Sequence, residues 1–481
     1  MAKKKKPQVI IEIENNNKAK ITGPTVLLNK LRNSMAVRNP NAFHLRKYMP
    51  KGWDGKNYYI NEYGKFNVGL TQRVINVCKE LKISVDIADF RKGLIKGTVV
   101  KQAGDWIGRD YQVGAVEAVV NNTICDVPFP RGAIKVATNG GKTTISSFIH
   151  LSYDKPTVFL MNSKELYEQA LKEIPEIIGQ DRIGYISSKG VKFGKFMICM
   201  VQTLRNRLKD SKHVKTFMSQ VQVLIVDEGD LADNKTNQVV IESLYNSTVR
   251  VALSGTIFVS KLAKDKIKNY NLEGFFGPLL YEVTNRELID KGVSSEVEVT
   301  FVEGNTSKNS LGNYQSDYEE YLVKNKERNK RILKRSIFHA TEKRTKQLII
   351  AQRHSHIKRL YKRFKKAVDE GKIPGVKTVD WVHHDRKDRA SVVEDFRTGK
   401  LDILIGSMIL KRGKNFPKMQ YMLNAGGGKS PENILQLLGR AFRGANYYED
   451  MWDEGEYLKK HSRKRALYYK NEKIKVTNPF K

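Results

Sequence analysis

The stretch "KVATNGGKTT" (residues 135–144) decides how this chain is read. An apolar run, "GAIKVAT", leads into it, and a helix-like run, "KTTISSFIHLSY", leads out. Strand, glycine-rich turn and helix is the order in which a helix N-terminus presents backbone N–H groups to an anion. Gly140 and Gly141 let the backbone come close to a phosphate, and Asn139 tolerates left-handed geometry. Lys142 would reach β- and γ-phosphates, and the Thr143 hydroxyl would hold Mg²⁺. The common spacing G-x-x-x-x-G-K-[ST] puts glycine at position 136, where this chain has Val136. A β-branched residue rejects positive φ, so that position is expected to be extended. Taken alone, the turn could still be a plain glycine-rich strand–helix connection.

Two further runs favour the phosphate reading. "VQVLIVDEGD" (221–230) is a buried-strand pattern ending in Asp227-Glu228. Phosphoryl transfer to water needs a carboxylate at the metal and a group that positions the water, and this pair supplies both. "QLLGRAFR" (436–443) sets Arg440 and Arg443 three apart on one helix face. Such a pair can stabilise charge on a transferred phosphoryl group; the competing reading is a basic surface helix.

The 481 residues suggest about three domains. Short unalternating apolar runs recur between helical segments in two series: "TVFLMN", "FMICMV", "VLIVDE", "RVALSGT", and later "QLIIAQ", "TVDWVHH", "DILIGS", "YMLNAG". Parallel sheets covered on both faces read this way. The expected architecture is therefore α/β: two parallel-sheet domains, at 99–294 and 295–481, preceded by a small α+β domain at 1–98. In that first block "VIIEIE" and "NYYINEY" read as strands, "GLTQRVINVCKEL" as a helix, and Trp53 as a core residue. The hinge is expected within 292–315. A formal charge of +35 favours polyanion partners. Cys78, Cys125 and Cys199 read as buried free thiols. No apolar run has the length of a membrane span and no signal-peptide pattern is present, so a cytoplasmic protein is expected.

Together these motifs resemble those of superfamily 2 helicases, in family order, over about residues 105–475. The resemblance implies two RecA-like domains with ATP between them, and ATP and Mg²⁺ as cofactors. "RDYQ" brings Arg109 and Gln112 as adenine contacts, and Thr138 through Thr144 as the phosphate loop. The metal falls to Thr143 and Asp227, and catalysis to Lys142, Asp227, Glu228, Gln436, Arg440 and Arg443. Asp230, with Ser254 and Thr256 of "LSGT", would couple nucleotide state to nucleic-acid grip. Gly413 and Asn415 stand in the family's interdomain nucleotide motif, with Asn415 where aspartate is usual. Ser163, Lys164, Gln202, Thr203, Arg353 and Ser407 are the implied nucleic-acid contacts. "GWDGKNYYI", "FNVGL", "ERNKRI" and the C-terminal "HSRKRALYYKNEKIKV" resemble the phage branch-migration helicases of the UvsW type, which implies forked and four-way DNA as partners, in a host cytoplasm. A duplex-DNA translocase, an RNA helicase and a clamp with an inactive ATP site remain open alternatives.

Two stretches are given no role in the chemistry. The tail "KKHSRKRALYYKNEKIKVTNPFK" carries nine Lys or Arg, with Tyr468 and Tyr469 among them. It suits either duplex phosphates or packing of its tyrosines on the second domain. His383-His384-Asp385 follows a strand with no second ligand cluster in view, which favours a structural turn over a metal site.

Overall fold

The computed structural model describes residues 7–188, 190–258, 263–407, 410, 416–441 and 447–480. Two compact units emerge, one holding 1–136 and 140–283, the other 137–139 and 284–481. Residues on both sides of 98/99 fall in the first unit, and the main run of the second begins at Thr284.

The N-terminal block is a four-stranded sheet in the order β3-β2-β1-β4, built from β1 (Val9–Ile13), β2 (Lys18–Thr22), β3 (Lys65–Asn67) and β4 (Val85–Asp89). Val9, Ile11 and Ile13 alternate inward on β1, and helix α1 (Thr71–Glu80) adds Val74, Ile75 and Cys78 to the same core. "NYYINEY" departs from expectation, since only Lys56–Tyr58 is strand. Asn61 Oδ1 accepts the backbone N–H groups of Tyr63 and Lys65 at 3.0 and 2.8 Å, which turns the chain locally. Trp53 is not core either. It is half-buried in a glycine-rich turn, and its Nε1 donates to Lys56 O at 2.9 Å. Cys125 is exposed, not buried. With Asp126 it forms the two-residue turn of a hairpin, both at positive φ (48° and 65°), as the twist of such hairpins demands.

This block is fused to the larger sheet of the first unit through a shared core: Ile124, Phe129 and Tyr270 pack with the sheet residues above. Arg73 Nε donates to Glu273 Oε2 at 2.8 Å, and Tyr59 OH to Ile267 O at 3.0 Å.

After α2 (Asp110–Val120) comes an eight-stranded sheet, in which β5 (Arg131–Val136) leads into α3 (Lys142–Tyr153). It continues with β6 (Thr157–Met161), α4 (Lys164–Ile178), β7 (Ile183–Ile186), β8 (Val191–Lys192), β9 (Phe196–Met200) and α5 (Val201–Asp210). β10 (Val223–Asp227), β11 (Val249–Ser254), α6 (Ala263–Phe276) and β12 (Leu279–Val283) complete it. The order is β8-β7-β9-β6-β10-β11-β5-β12, parallel except for the short edge pair β7–β8. β6, β10 and β11 are buried along their whole lengths, which explains their unalternating sequences. Because β11 lies between β10 and β5, Asp227, Ser254 and the turn after Val136 come together at one edge.

The second unit is a seven-stranded, all-parallel sheet in the order β15-β16-β14-β17-β18-β13-β19. Its elements are β13 (Glu298–Glu303), α7 (Lys326–Thr341), β14 (Gln347–Ile350), α8 (His354–Asp369), β15 (Val379–Val382) and β16 (Ile403–Gly406). They are followed by β17 (Tyr421–Asn424), α9 (Pro431–Ala441), β18 (Tyr447–Trp452), α10 (Glu456–Asn471) and β19 (Val476–Thr477). The stretch expected to hold the hinge therefore contains a strand. Val299 and Phe301 of β13 face the core, and β13 pairs with both β18 and β19. The basic tail forms α10, which buries Leu458, His461, Arg465 and Tyr469 on this sheet while Tyr468 packs at its rim. No helix among the described residues is long and apolar enough to cross a membrane.

Candidate active site

The edge formed by β5, β11 and β10 gathers the phosphate-loop residues and the acidic run. Val136 is the last residue of β5, so it is extended, as its β-branching requires. The chain then turns through Asn139 at φ 78° and Gly141 at φ 73° before α3 begins at Lys142. A side chain at Gly141 would be strained: its φ is in the left-handed region, and a Cβ there would lie 2.2 Å from Gln112 Nε2 and displace that amide. Gln112 is buried on α2, donates to Gly140 O at 3.3 Å, and accepts the Arg109 backbone N–H at 3.0 Å. It thus ties the first turn of α2 to the loop. Arg109 Nη1 contacts Tyr111 OH at 3.2 Å.

Lys142 Nζ sits 3.2 Å from Asp227 Oδ1 and 3.4 Å from Glu228 Oε1. Burial opposes the Lys142 charge, but Asp227, Glu228 and Asp230 outweigh it and hold the ammonium above its ordinary value. Burial pushes the Asp227 carboxyl up, against the pull of Lys142. Lys142 and the Glu228 backbone N–H, at 2.9 Å, support the Asp227 charge, but less than burial opposes it. Glu228 is left-handed at φ 52°, a conformation that turns the chain sharply out of β10. A cation supplied here would answer that shortage, and the donor set (the Thr143 hydroxyl and the Asp227 carboxylate) is the oxygen type Mg²⁺ takes. The residues therefore fit a magnesium–nucleotide pair.

Asp230, Ser254 and Thr256 form one buried chain. Ser254 Oγ donates to Asp230 Oδ1 at 2.7 Å, and the Thr256 backbone N–H donates to Ser254 Oγ at 3.1 Å. Glu173 on α4 is a member of the site that the sequence does not reveal. Its Oε2 accepts from the Thr143 hydroxyl at 3.2 Å, and its Oε1 from Gln169 Nε2 at 2.6 Å. No motif marks it; its helix phase relative to the loop is the only cue.

Of the implied nucleic-acid contacts, Ser163 caps α4 by accepting the Leu166 N–H at 3.2 Å, and Lys164 follows it, exposed. Gln202 is exposed and Thr203 half-buried on the first turn of α5. In the second unit Arg353 pairs with Glu319 at 2.5 Å, its guanidinium 4.7 Å from the Tyr318 ring centre. Ser407 is buried, with its N–H on Val382 O at 3.2 Å. Gln436 and Arg440 are both buried on α9, Arg440 with its guanidinium 5.8 Å from the Phe416 ring centre. Gly413, Asn415 and Arg443 lie outside the described residues.

The structure adds one ligand-type residue to the His383 turn. His354, first in α8, brings its Nδ1 to 3.2 Å from Asp385 Oδ2, and His383 Nδ1 lies 3.0 Å from the same atom. The two rings stack 4.5 Å apart with only 11° between their planes. An ion bound by both would have to lie in both planes, and stacked parallel planes do not meet at a bonding distance. The cluster is thus a stacked, hydrogen-bonded turn, locked further by Arg386 on Asp380 at 2.6 and 3.0 Å.

Comparison with known proteins gives the family of the chain. Residues 106–259 match the family "Type III restriction enzyme, res subunit", and residues 327–445 the family "Helicase conserved C-terminal domain". Helicase 22 of Sulfolobus islandicus filamentous virus is 22% identical over 369 residues, 70% of this chain and 61% of that protein. The chain thus spans about three fifths of that relative's length. The structure of an HsdR-subunit fragment from a Vibrio vulnificus YJ016 type I restriction enzyme aligns over 77% of this chain and 68% of its own. Its TM-score is 0.57 at 16% identity. T4 UvsW aligns over 98% of both chains at 18% identity with a TM-score of 0.46. The two family regions fall on the two RecA-like domains. The chain belongs to the superfamily 2 helicases.

Proposed function

We propose that this helicase hydrolyses ATP to remodel branched DNA, such as forks and four-way junctions. The observation that carries the ATPase reading is Lys142 shared between Asp227 and Glu228 at 3.2 and 3.4 Å, with Asp230 of the same run bonded onward to Ser254. Lys142 and the turn N–H groups would hold the triphosphate, and Glu228 would position the attacking water. Thr143 and Asp227 would hold Mg²⁺, which supplies neutralisation of charge on the β- and γ-oxygens. A change at Asp230 would pass through Ser254 to Thr256 along buried hydrogen bonds.

The preference for DNA rests on three supports: the +35 charge, the N-terminal block fused to the first sheet, and the motif resemblance. Lys164 and Gln202 sit exposed on the first turns of α4 and α5, at the C-terminal ends of β6 and β9, where helix N-termini favour phosphate. Contacts of this kind ignore base sequence, as a translocating enzyme requires.

The test is ATP hydrolysis with matched single-stranded DNA, linear duplex, fork, four-way junction and RNA. Strongest stimulation by forks and junctions supports branch remodelling. Equal stimulation by plain duplex makes the protein a translocase, and strongest stimulation by RNA makes it an RNA helicase. Absence of hydrolysis on every substrate leaves a nucleic-acid clamp.

A further inference from the structure

We infer that Glu173 is a positioning residue for the metal-binding hydroxyl of Thr143, an inference that rests on the ATPase reading above. A threonine hydroxyl has one proton and two lone pairs. To bind a cation it must turn a lone pair toward the ion, and its proton must go elsewhere. In the 3.2 Å contact between Thr143 Oγ1 and Glu173 Oε2 the hydroxyl donates and the carboxylate oxygen accepts. Both lone pairs of Thr143 Oγ1 are thereby left for a metal.

Glu173 is itself held. Gln169, one turn earlier on α4, donates to its other oxygen at 2.6 Å, so both carboxylate oxygens are engaged. Thr143 lies on the first turn of α3 and Glu173 inside α4, and the two helices pack side by side, so the contact joins two rigid elements. Residues standing behind a metal ligand orient it, and their loss typically weakens metal binding about 10–100-fold. Lys142 already engages Asp227 and Glu228, so an acid on a different helix takes the Thr143 proton.

The experiment titrates Mg²⁺ into the full-length protein with a fluorescent ADP analogue and reads the Mg²⁺ concentration for half-maximal nucleotide binding. Glu173→Ala is expected to raise that concentration by about 10–100-fold. Nucleotide binding without Mg²⁺ and the unfolding temperature of the ligand-free protein stay as in the parent. Glu173→Gln keeps a carbonyl oxygen that can accept the Thr143 proton, and so restores most of the Mg²⁺ affinity. Glu173→Asp draws the carboxylate back by one methylene and moves the value in the same direction as alanine, which covers an alanine variant that does not fold. Should the parent protein bind nucleotide with no Mg²⁺ dependence, the ATP-site reading falls and this inference with it. A Mg²⁺-dependent parent matched by an unchanged Glu173→Ala overturns the Glu173 inference alone.

Discussion

Each unit buries a group of carboxylates at one strand, and the two groups are partnered differently. In the second unit, β18 and the residue after it supply Glu449, Asp450 and Asp453, each met by a dedicated cation. Arg465 Nε donates to Asp450 at 2.9 and 3.1 Å and its other nitrogens to Gly428 O and Met451 O. Arg328 forks onto Asp453 at 2.7 and 3.0 Å and also reaches Ala425 O. Glu449 takes Arg335, His339 Nε2 at 3.0 Å and Tyr421 OH at 2.7 Å. In the first unit one ammonium, Lys142, is shared by two acids at longer range. A closed network of short bonds fixes a fold, whereas a cation stretched between two acids leaves room for a ligand. Buried charges in a protein of this kind are told apart by how completely they are paired.

The sharpest way to break the comparison is to remove the cation on each side. Lys142→Ala should cut DNA-stimulated ATP turnover by about 10³-fold or more, on the scale of losing a group that stabilises the transferred phosphoryl charge. DNA binding, read by fluorescence anisotropy, should remain largely intact. Arg465→Ala should instead cost about 3–5 kcal/mol of stability, because Asp450 would be left buried without its cation. Chemical denaturation of the two variants side by side checks this, and a Lys142 variant destabilised as strongly as the Arg465 one would erase the distinction.

A smaller effect comes from pH. Burial, aided by Arg182, pushes His150 down to about 4, and burial with nearby lysines and Arg465 does the same to His461. Each is neutral in the folded chain, while the unfolded chain takes up a proton near the ordinary value of about 6.5. Stability is therefore full above pH 6.5 and is lost as pH falls toward about 4, by at most about 3 kcal/mol for each histidine. His150→Gln should flatten that part of the stability–pH curve, as measured by thermal unfolding between pH 4 and 7.

Much of the fold could be read from the linear chain, because fully buried parallel strands such as "VLIVD" leave an unmistakable apolar run between helices. The turn at 135–144 was legible for the same local reason: backbone N–H groups at a helix start need glycine and a left-handed residue, whatever surrounds them. Local polar chemistry misled the reading at "NYYINEY", where Asn61 turns the chain, and at Trp53, whose indole bonds to its own loop.

By itself, then, the sequence determined the two parallel sheets, the glycine-rich strand–helix turn and the acidic run, since each depends on residues within a few positions of one another. Only the tertiary structure decided that the N-terminal block shares a core with the first sheet, that His354 stacks on His383 in parallel, and that Glu173 takes the Thr143 proton. Those facts join residues 30 or more positions apart or set the angle between two rings, and neither spacing nor composition carries an angle.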